Sequence, residues 1–238
     1  MRIRAASGVA TMLIACAALA APIVVAQEPP TLADTMEQRM AACAICHGEK
    51  GEGRGAAEYY PRLSGKPAGY LFAQLQHFRD GRRKYPQMVY LMRFMPDAYL
   101  REIADHYANL QAPHLAPAKP SPDARERQRG EALAISGDAS KNVPACNTCH
   151  GTALTGMSPG IPGLLGLPVD YIAGQLGAWK TGLRVAASPD CMHDIAQRMS
   201  GSDIAAVSKW LGSQAFPAGA AQIPAPAKLP MRCGSQPS

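Results

Sequence analysis

Two copies of the pattern Cys-x-x-Cys-His constrain this 238-residue chain more than any other feature of its sequence. The copies are Cys43-Ala44-Ile45-Cys46-His47 and Cys146-Asn147-Thr148-Cys149-His150. This is the attachment sequence of c-type haem, in which two thiols form thioethers to the porphyrin edge and the following His binds the iron. A zinc site would need further ligands at metal spacing, and a thioredoxin-like site would need a βαβ context. The sequence offers neither, so we expect two covalently attached c-type haems.

The chain also repeats itself, with the two attachment sites 103 positions apart. At an offset of 101, Pro61, Leu63, Gly65, Tyr70, Gln74, Leu75, Gly81 and Arg83 recur as Pro162, Leu164, Gly166, Tyr171, Gln175, Leu176, Gly182 and Arg184. At an offset of 104, Leu100, Ile103 and Tyr107 match Ile204, Val207 and Leu211. Small insertions and deletions in loops explain the drift. The repeat predicts two homologous halves with one haem each.

The hydrophobic pattern predicts an all-α fold. Tyr70, Leu71, Leu75 and Phe78 have the three-to-four spacing of an amphipathic helix, and strand alternation is absent. Thr31 is the expected cap of the first helix. We expect a signal peptide at 1–26, a first domain at 27–112, a Pro-rich linker at 113–123, a second domain at 124–213 and a Pro-rich tail at 214–238.

Each haem iron needs a sixth ligand besides its His if it is to shuttle electrons. Met, His, Cys and an open position are the alternatives for that site. The repeat favours Met88 and Met192, which match at the offset of 104, whereas Met92 has no Met counterpart there; Met95, the other candidate, matches Met199. The metal ligands predicted are therefore His47 with Met88 and His150 with Met192. The carbonyls of Pro61 and Pro162 are candidates for fixing the two imidazoles.

The N-terminus predicts export, because Arg2 and Arg4 precede an apolar stretch from Val9 to Val25 and a small-residue cleavage site at Ala26. The mature chain is expected in the periplasm. A second interpretation stays open, because Leu13-Ile14-Ala15-Cys16 resembles a lipobox and would anchor the chain to a membrane through a lipidated Cys16. Removal of the leader lowers the formal charge from +6 to +4. Haem propionates would largely cancel this charge, and no basic-aromatic pattern indicates nucleic-acid binding.

From about Gln38 to Gly212 the chain resembles the dihaem cytochromes c of the c4 type. The matches are Cys43-x-x-Cys46-His47-Gly48, Pro61-x-Leu63-x-Gly65, Tyr70-Leu71-x-x-Gln74-Leu75-x-x-Phe78, Asp80-Gly81-x-Arg83 with Met88, and their second-half equivalents. The resemblance implies two tandem class I cytochrome c domains, with Arg83 and Arg184 beside haem propionates. It also implies electron transfer in a respiratory chain, from a quinol-cytochrome c reductase or a dehydrogenase to a terminal oxidase.

Two extra cysteines, Cys191 and Cys233, and the long tail depart from that pattern. In an oxidising compartment the two thiols are expected to form a disulfide that pins the tail beside the second haem. The alternative is that Cys191 is an iron ligand or a reactive thiol, as in a sulfur-oxidising haem enzyme. Three functions therefore stay open: a freestanding carrier without enzyme activity, a subunit or dedicated acceptor of a periplasmic dehydrogenase, and such an enzyme.

Overall fold

The computed structural model describes residues 34–54, 60–114, 122–226 and 228–236. The predicted signal peptide, Cys16, the expected helix cap Thr31 and most of the Pro-rich linker lie outside these ranges. Residues 34–238 form one compact unit. Within the described ranges, no helix combines the length and the apolar character needed to span a bilayer.

Helices dominate the described residues, and the predicted all-α class is confirmed. In chain order they are α1 (Met36–His47), α2 (Ala68–Arg79), α3 (Pro86–Met92), α4 (Asp97–Asn109), α5 (Ala124–Ile135), α6 (Cys146–His150), α7 (Val169–Lys180), α8 (Cys191–Arg198) and α9 (Gly201–Ser213). A short 3₁₀ turn covers Ala139–Lys141. The first helix begins at Met36, where the Thr35 hydroxyl accepts a hydrogen bond from the Gln38 amide and caps the helix.

The repeat is visible in the helix bounds themselves. Both ends of α2 and α7 are offset by 101 residues, and both ends of α4 and α9 by 104. Each half has its own hydrophobic core. In the first, α2 packs on α3 and α4 around Leu100 and Ile103; in the second, α7 packs on α8 and α9 around Ile204 and Val207.

An ion cluster around the buried Asp203 ties the start of α9 to α5 and to the 3₁₀ turn. The Asp203 carboxylate is 5% exposed and lies 2.7 Å from Arg129 Nε and 2.6 Å from Lys141 Nζ. The same carboxylate accepts the Ser200 amide, and the Ser200 hydroxyl accepts the Asp203 amide, which completes a capping box. These contacts hold the pKa of Asp203 well below its usual range, although burial alone would raise it.

The tail contributes one strand to a small sheet that the sequence pattern did not predict. Strand β1 (Gly156–Ser158) pairs antiparallel with β2 (Ile161–Pro162) and parallel with β3 (Ile223–Pro224). A disulfide joins Cys191 to Cys233, as predicted. The tail is therefore fastened to the second half at two places.

Candidate haem sites

Both attachment sequences lie at the C-terminal end of a helix. The last residue of α1 is His47, and the last residue of α6 is His150. The next residues, Gly48 and Gly151, have φ values of +84° and +85°, which residues with a Cβ rarely adopt. The chain therefore turns sharply after each His, while the two thiols and the imidazole stay on one helical segment.

A backbone carbonyl orients each imidazole. Nδ1 of His47 lies 2.8 Å from the Pro61 carbonyl oxygen, and Nδ1 of His150 lies 2.7 Å from that of Pro162. Because a carbonyl oxygen only accepts, Nδ1 carries the hydrogen, and Nε2 is left to bind a metal ion. Burial lowers the pKa of both imidazoles, and the carbonyl contacts oppose this effect only partly. Both rings are therefore neutral at pH 7, the form that binds a metal.

A cavity opens beside each imidazole. The first holds about 1350 Å³ and the second about 1550 Å³, counting the parts that open to solvent. The predicted ligands of the first haem, Cys43, Cys46, His47 and Met88, all line the first cavity. The predicted ligands of the second, Cys146, Cys149, His150 and Met192, all line the second. Each cavity thus brings one predicted set together.

The walls fit a flat apolar ring that carries carboxylates at one edge. Apolar side chains such as Leu71, Phe78 and Ile103 line most of the first cavity, and several of its polar side chains are joined by the hydrogen bonds of Arg83. Met92 also lines this cavity, but it is only 1% exposed and belongs to the core of the first half. Its counterpart at the offset of 104 is Ala196, so the repeat still favours Met88 as the ligand.

The two cavities share one stretch of wall, which both halves build. Six residues line both cavities: Lys66, Tyr70, Gln74, Tyr171, Gln175 and Arg184. Arg83 of the first half donates to Gln175 Oε1 at 2.7 Å, and Arg184 of the second donates to Gln74 Oε1 at 2.8 Å. Each guanidinium also donates to the tyrosine hydroxyl of the opposite half. We call these six residues and Arg83 the junction cluster.

The backbone joins the halves at the same place. The Lys84 amide donates to the Leu183 carbonyl at 2.9 Å, and the Val185 amide donates to the Arg82 carbonyl at 2.7 Å. These bonds flank an antiparallel bridge between Arg83 and Arg184. The two repeat-related arginines are therefore held side by side.

The junction cluster contains three cations, and none of them pairs with a carboxylate among the described residues. Burial lowers the pKa of Lys66. Burial would raise the pKa of Tyr70, but Arg184, Arg83 and Lys66 outweigh it and lower this pKa to about 8. The shift of Tyr70 has the sign expected where positive charge is concentrated, so the cluster favours an anionic group.

Arg83 and Arg184 were predicted from the sequence as neighbours of haem propionates, whereas the other five members of the junction cluster were not predicted to lie there. Tyr70 and Gln74 carried a signal, because both recur in the repeat with the arginines. Lys66 carried none, since its counterpart at the offset of 101 is Leu167. Only the packing of the halves brings Lys66 to both cavities.

The alternative role of Cys191 is wrong for this structure. Its sulfur is bonded to Cys233, so it is neither a free thiol nor an open ligand beside Met192. The bond instead places Cys233 on the wall of the second cavity, together with Leu229, Met231 and Gln236 of the tail.

Comparisons with known proteins agree with this geometry. The sequence model of the cytochrome c family matches residues 34–118. The thiosulfate dehydrogenase electron acceptor of Thiomonas intermedia is 39% identical over 174 residues, which cover 73% of this chain and 79% of that protein. Cytochrome c4 of Pseudomonas aeruginosa is 32% identical over 177 residues, or 74% and 85% of the two chains.

A solved structure shows the same fold. The reduced recombinant cytochrome c4 from Pseudomonas stutzeri aligns with a TM-score of 0.64 and 27% identity, covering 74% of this chain and 95% of that one. Together with the repeated attachment sites and the paired cavities, these matches assign the family. The chain belongs to the dihaem cytochromes c of the c4 type, electron-transfer proteins with two covalently attached c-type haems.

Proposed function

We propose that this chain is a periplasmic electron carrier that accepts electrons from a dehydrogenase of the thiosulfate dehydrogenase type and passes them toward a terminal oxidase. The observation that carries the proposal is the shared wall of the two cavities. This shared wall supports two one-electron sites that lie next to each other inside one compact unit. The relative named as an electron acceptor of thiosulfate dehydrogenase supports the choice of donor.

In this proposal His47 and Met88 bind the first iron, and His150 and Met192 bind the second. The bound haems supply reversible one-electron chemistry, and a Met ligand raises the reduction potential. The protein orients each imidazole through a proline carbonyl and surrounds each ring with apolar side chains. Because a His and a Met would bind each iron, neither haem would have a ligand position free for a substrate. The chain therefore has no enzyme activity of its own.

The junction cluster binds the propionates in this proposal. Arg83, Arg184 and Lys66 supply positive charge, and carboxylates form strong hydrogen bonds with such groups. Because Lys66 and Arg184 line both cavities, the same cations act on both haems. Lys66 adds a positive charge from the first half only, because its counterpart in the second half is Leu167.

The proposal also includes the expected division of the chain. The signal peptide at 1–26 directs the chain to the periplasm, where haem is attached, and a lipidated Cys16 is the alternative anchor. The two cytochrome domains are 27–112 and 124–213. The helix start at Ala124, capped by the Asp123 carboxylate, supports the second boundary.

The test is reduction of the oxidised chain by purified thiosulfate dehydrogenase of Thiomonas intermedia, followed by haem absorbance. We expect two electrons per chain when thiosulfate is present, and no reduction when either the enzyme or thiosulfate is left out. A chain that ascorbate reduces but the dehydrogenase does not would overturn the choice of donor and favour a quinol-cytochrome c reductase. Reduction of the chain by thiosulfate without the dehydrogenase would overturn the proposal that this chain has no enzyme activity.

A further inference from the structure

The two cavities differ in what covers them. Five tail residues line the second cavity: Leu229, Met231, Cys233, Ser235 and Gln236. Besides the disulfide, the Gly234 amide donates to the Pro189 carbonyl at 2.8 Å, and the Gln236 side chain donates to the Gly160 carbonyl at 3.0 Å. No described residue of the tail lines the first cavity. The described part of the tail therefore covers the second cavity and not the first, and it reaches the first half at the Gly65 carbonyl, which accepts from the Gln222 side chain.

The first half instead exposes large apolar side chains next to its cavity. Tyr90 is 63% exposed and Phe94 is 83% exposed. The Arg93 guanidinium lies over both rings, 4.1 Å and 4.7 Å from their centroids. Leu91 is exposed as well and also lines the first cavity, which places the group at the cavity mouth. We call these four residues the aromatic patch.

The second half has no such patch at the corresponding helix. At the offset of 104, the counterparts of Tyr90, Leu91, Arg93 and Phe94 are Asp194, Ile195, Gln197 and Arg198. Three of the four are polar. The predicted Met ligand is therefore present in both halves, whereas exposed aromatic rings follow it only in the first half. Aromatic and arginine side chains are the residues enriched in protein interfaces.

Charge separates the two halves in the same way. Residues 81–96 contain Arg82, Arg83, Lys84 and Arg93 and no acidic residue. The corresponding stretch 182–200 contains two arginines and two aspartates. The side chains of Arg82, Lys84 and Arg93 are exposed. A positive rim beside an apolar patch fits a partner whose docking face is apolar and carries carboxylates.

Building on the proposed function, we infer that electrons enter through the first half, where a redox partner with an apolar, carboxylate-bearing face docks on the aromatic patch. The tail keeps the second half from offering an equivalent surface. Each docking event moves one electron: the reduced centre of the partner loses it, and a ferric iron of this chain gains it. No proton or chemical group is transferred.

The experiment compares matched surface variants of the full chain with both haems attached. One carries Tyr90→Ser and Phe94→Ser, and another carries Arg93→Glu. The control carries Ile135→Ser, which changes an apolar side chain that is 44% exposed in the second half. The probe is the second-order rate of reduction by Thiomonas intermedia thiosulfate dehydrogenase with thiosulfate, at low and high salt.

We expect the rate to fall about tenfold or more in both patch variants, as for central interface residues, and to stay within about twofold of wild type in the control. The Arg93→Glu variant should also lose most of its salt dependence. Reduction by ascorbate should be equal in all four proteins. Patch variants that keep the wild-type rate, or a control that falls as far as they do, would overturn the inference.

A second measurement keeps this inference separate from the choice of donor. If the dehydrogenase does not reduce even the wild-type chain, the same proteins are studied by voltammetry on a gold electrode coated with mixed methyl- and carboxylate-terminated thiols. This surface has the chemistry assigned to the partner. Slower interfacial electron transfer in the patch variants alone would support the docking face, and equal rates in all four proteins would overturn it.

Discussion

Removing the disulfide between Cys191 and Cys233 should destabilise the second half strongly. The bond joins residues that are 42 positions apart. In the chain-entropy treatment, closing a loop of that length restricts the unfolded chain by ~4 kcal/mol. The variant carries Cys191→Ser and Cys233→Ser together, so that no free thiol remains beside Met192. Its loss of stability comes from the greater freedom of the unfolded chain and from release of the tail.

Tryptophan fluorescence can follow this effect in the second half. The chain has two tryptophans, Trp179 in α7 and Trp210 in α9. In guanidinium unfolding of the oxidised protein, we expect the free energy of unfolding from this signal to fall by ~4 kcal/mol. A reductant strong enough to open the disulfide also reduces both haems, so the wild type and the variant should unfold with the same free energy when both are measured in that reductant. A fall below ~1 kcal/mol, the size expected of two surface substitutions, would show that the disulfide does not stabilise the second half in this way.

Three further variants test other parts of the structure. Lys66→Met should lower the midpoint potentials of both haems in a spectroelectrochemical titration, because it removes a positive charge from both cavities, whereas Lys50→Met at an exposed site should change neither. Asp203→Asn should lower the free energy of unfolding by ~3 kcal/mol, since two cations lose their buried carboxylate; an unchanged fluorescence transition would contradict this. Burial lowers the pKa of His114 from 6.5 to about 4, so the unfolded chain binds a proton that the folded chain does not, and stability should fall as the pH drops from 6.5 to about 4. His114→Phe keeps the stacking on Phe216 and should weaken that dependence in unfolding curves measured across this range.

The internal repeat allowed the helical fold to be predicted from the sequence. Each half supplied a second copy of the same helix pattern, so the matched bounds of α2 with α7 and of α4 with α9 followed from one alignment. The cap position of α1 did not follow from the pattern, because Thr35 is as capable a cap as Thr31, which lies outside the described residues. The structure places Thr35 there, and its hydroxyl accepts from the backbone.

What the repeat does not duplicate could not be predicted in this way. Lys66 has an apolar counterpart, so nothing in the sequence tied it to the junction of the halves. Strand β3 has two residues and pairs in parallel with a strand far away in the chain, so no local alternation signals it. The aromatic patch is a local run in the sequence, but its exposure depends on how α3 packs.

The most direct test of the central claim, two His/Met-ligated haems that carry electrons, combines a redox titration with the absorption band between methionine sulfur and ferric iron. We expect two one-electron steps, both at high potential, and a band with the intensity of two haems. Met88→Ala and Met192→Ala should each remove half of that band, and Met92→Ala should leave it intact. Half the intensity in the wild-type protein, or one haem with a very low potential, would show that the two haems do not both have a His and a Met ligand.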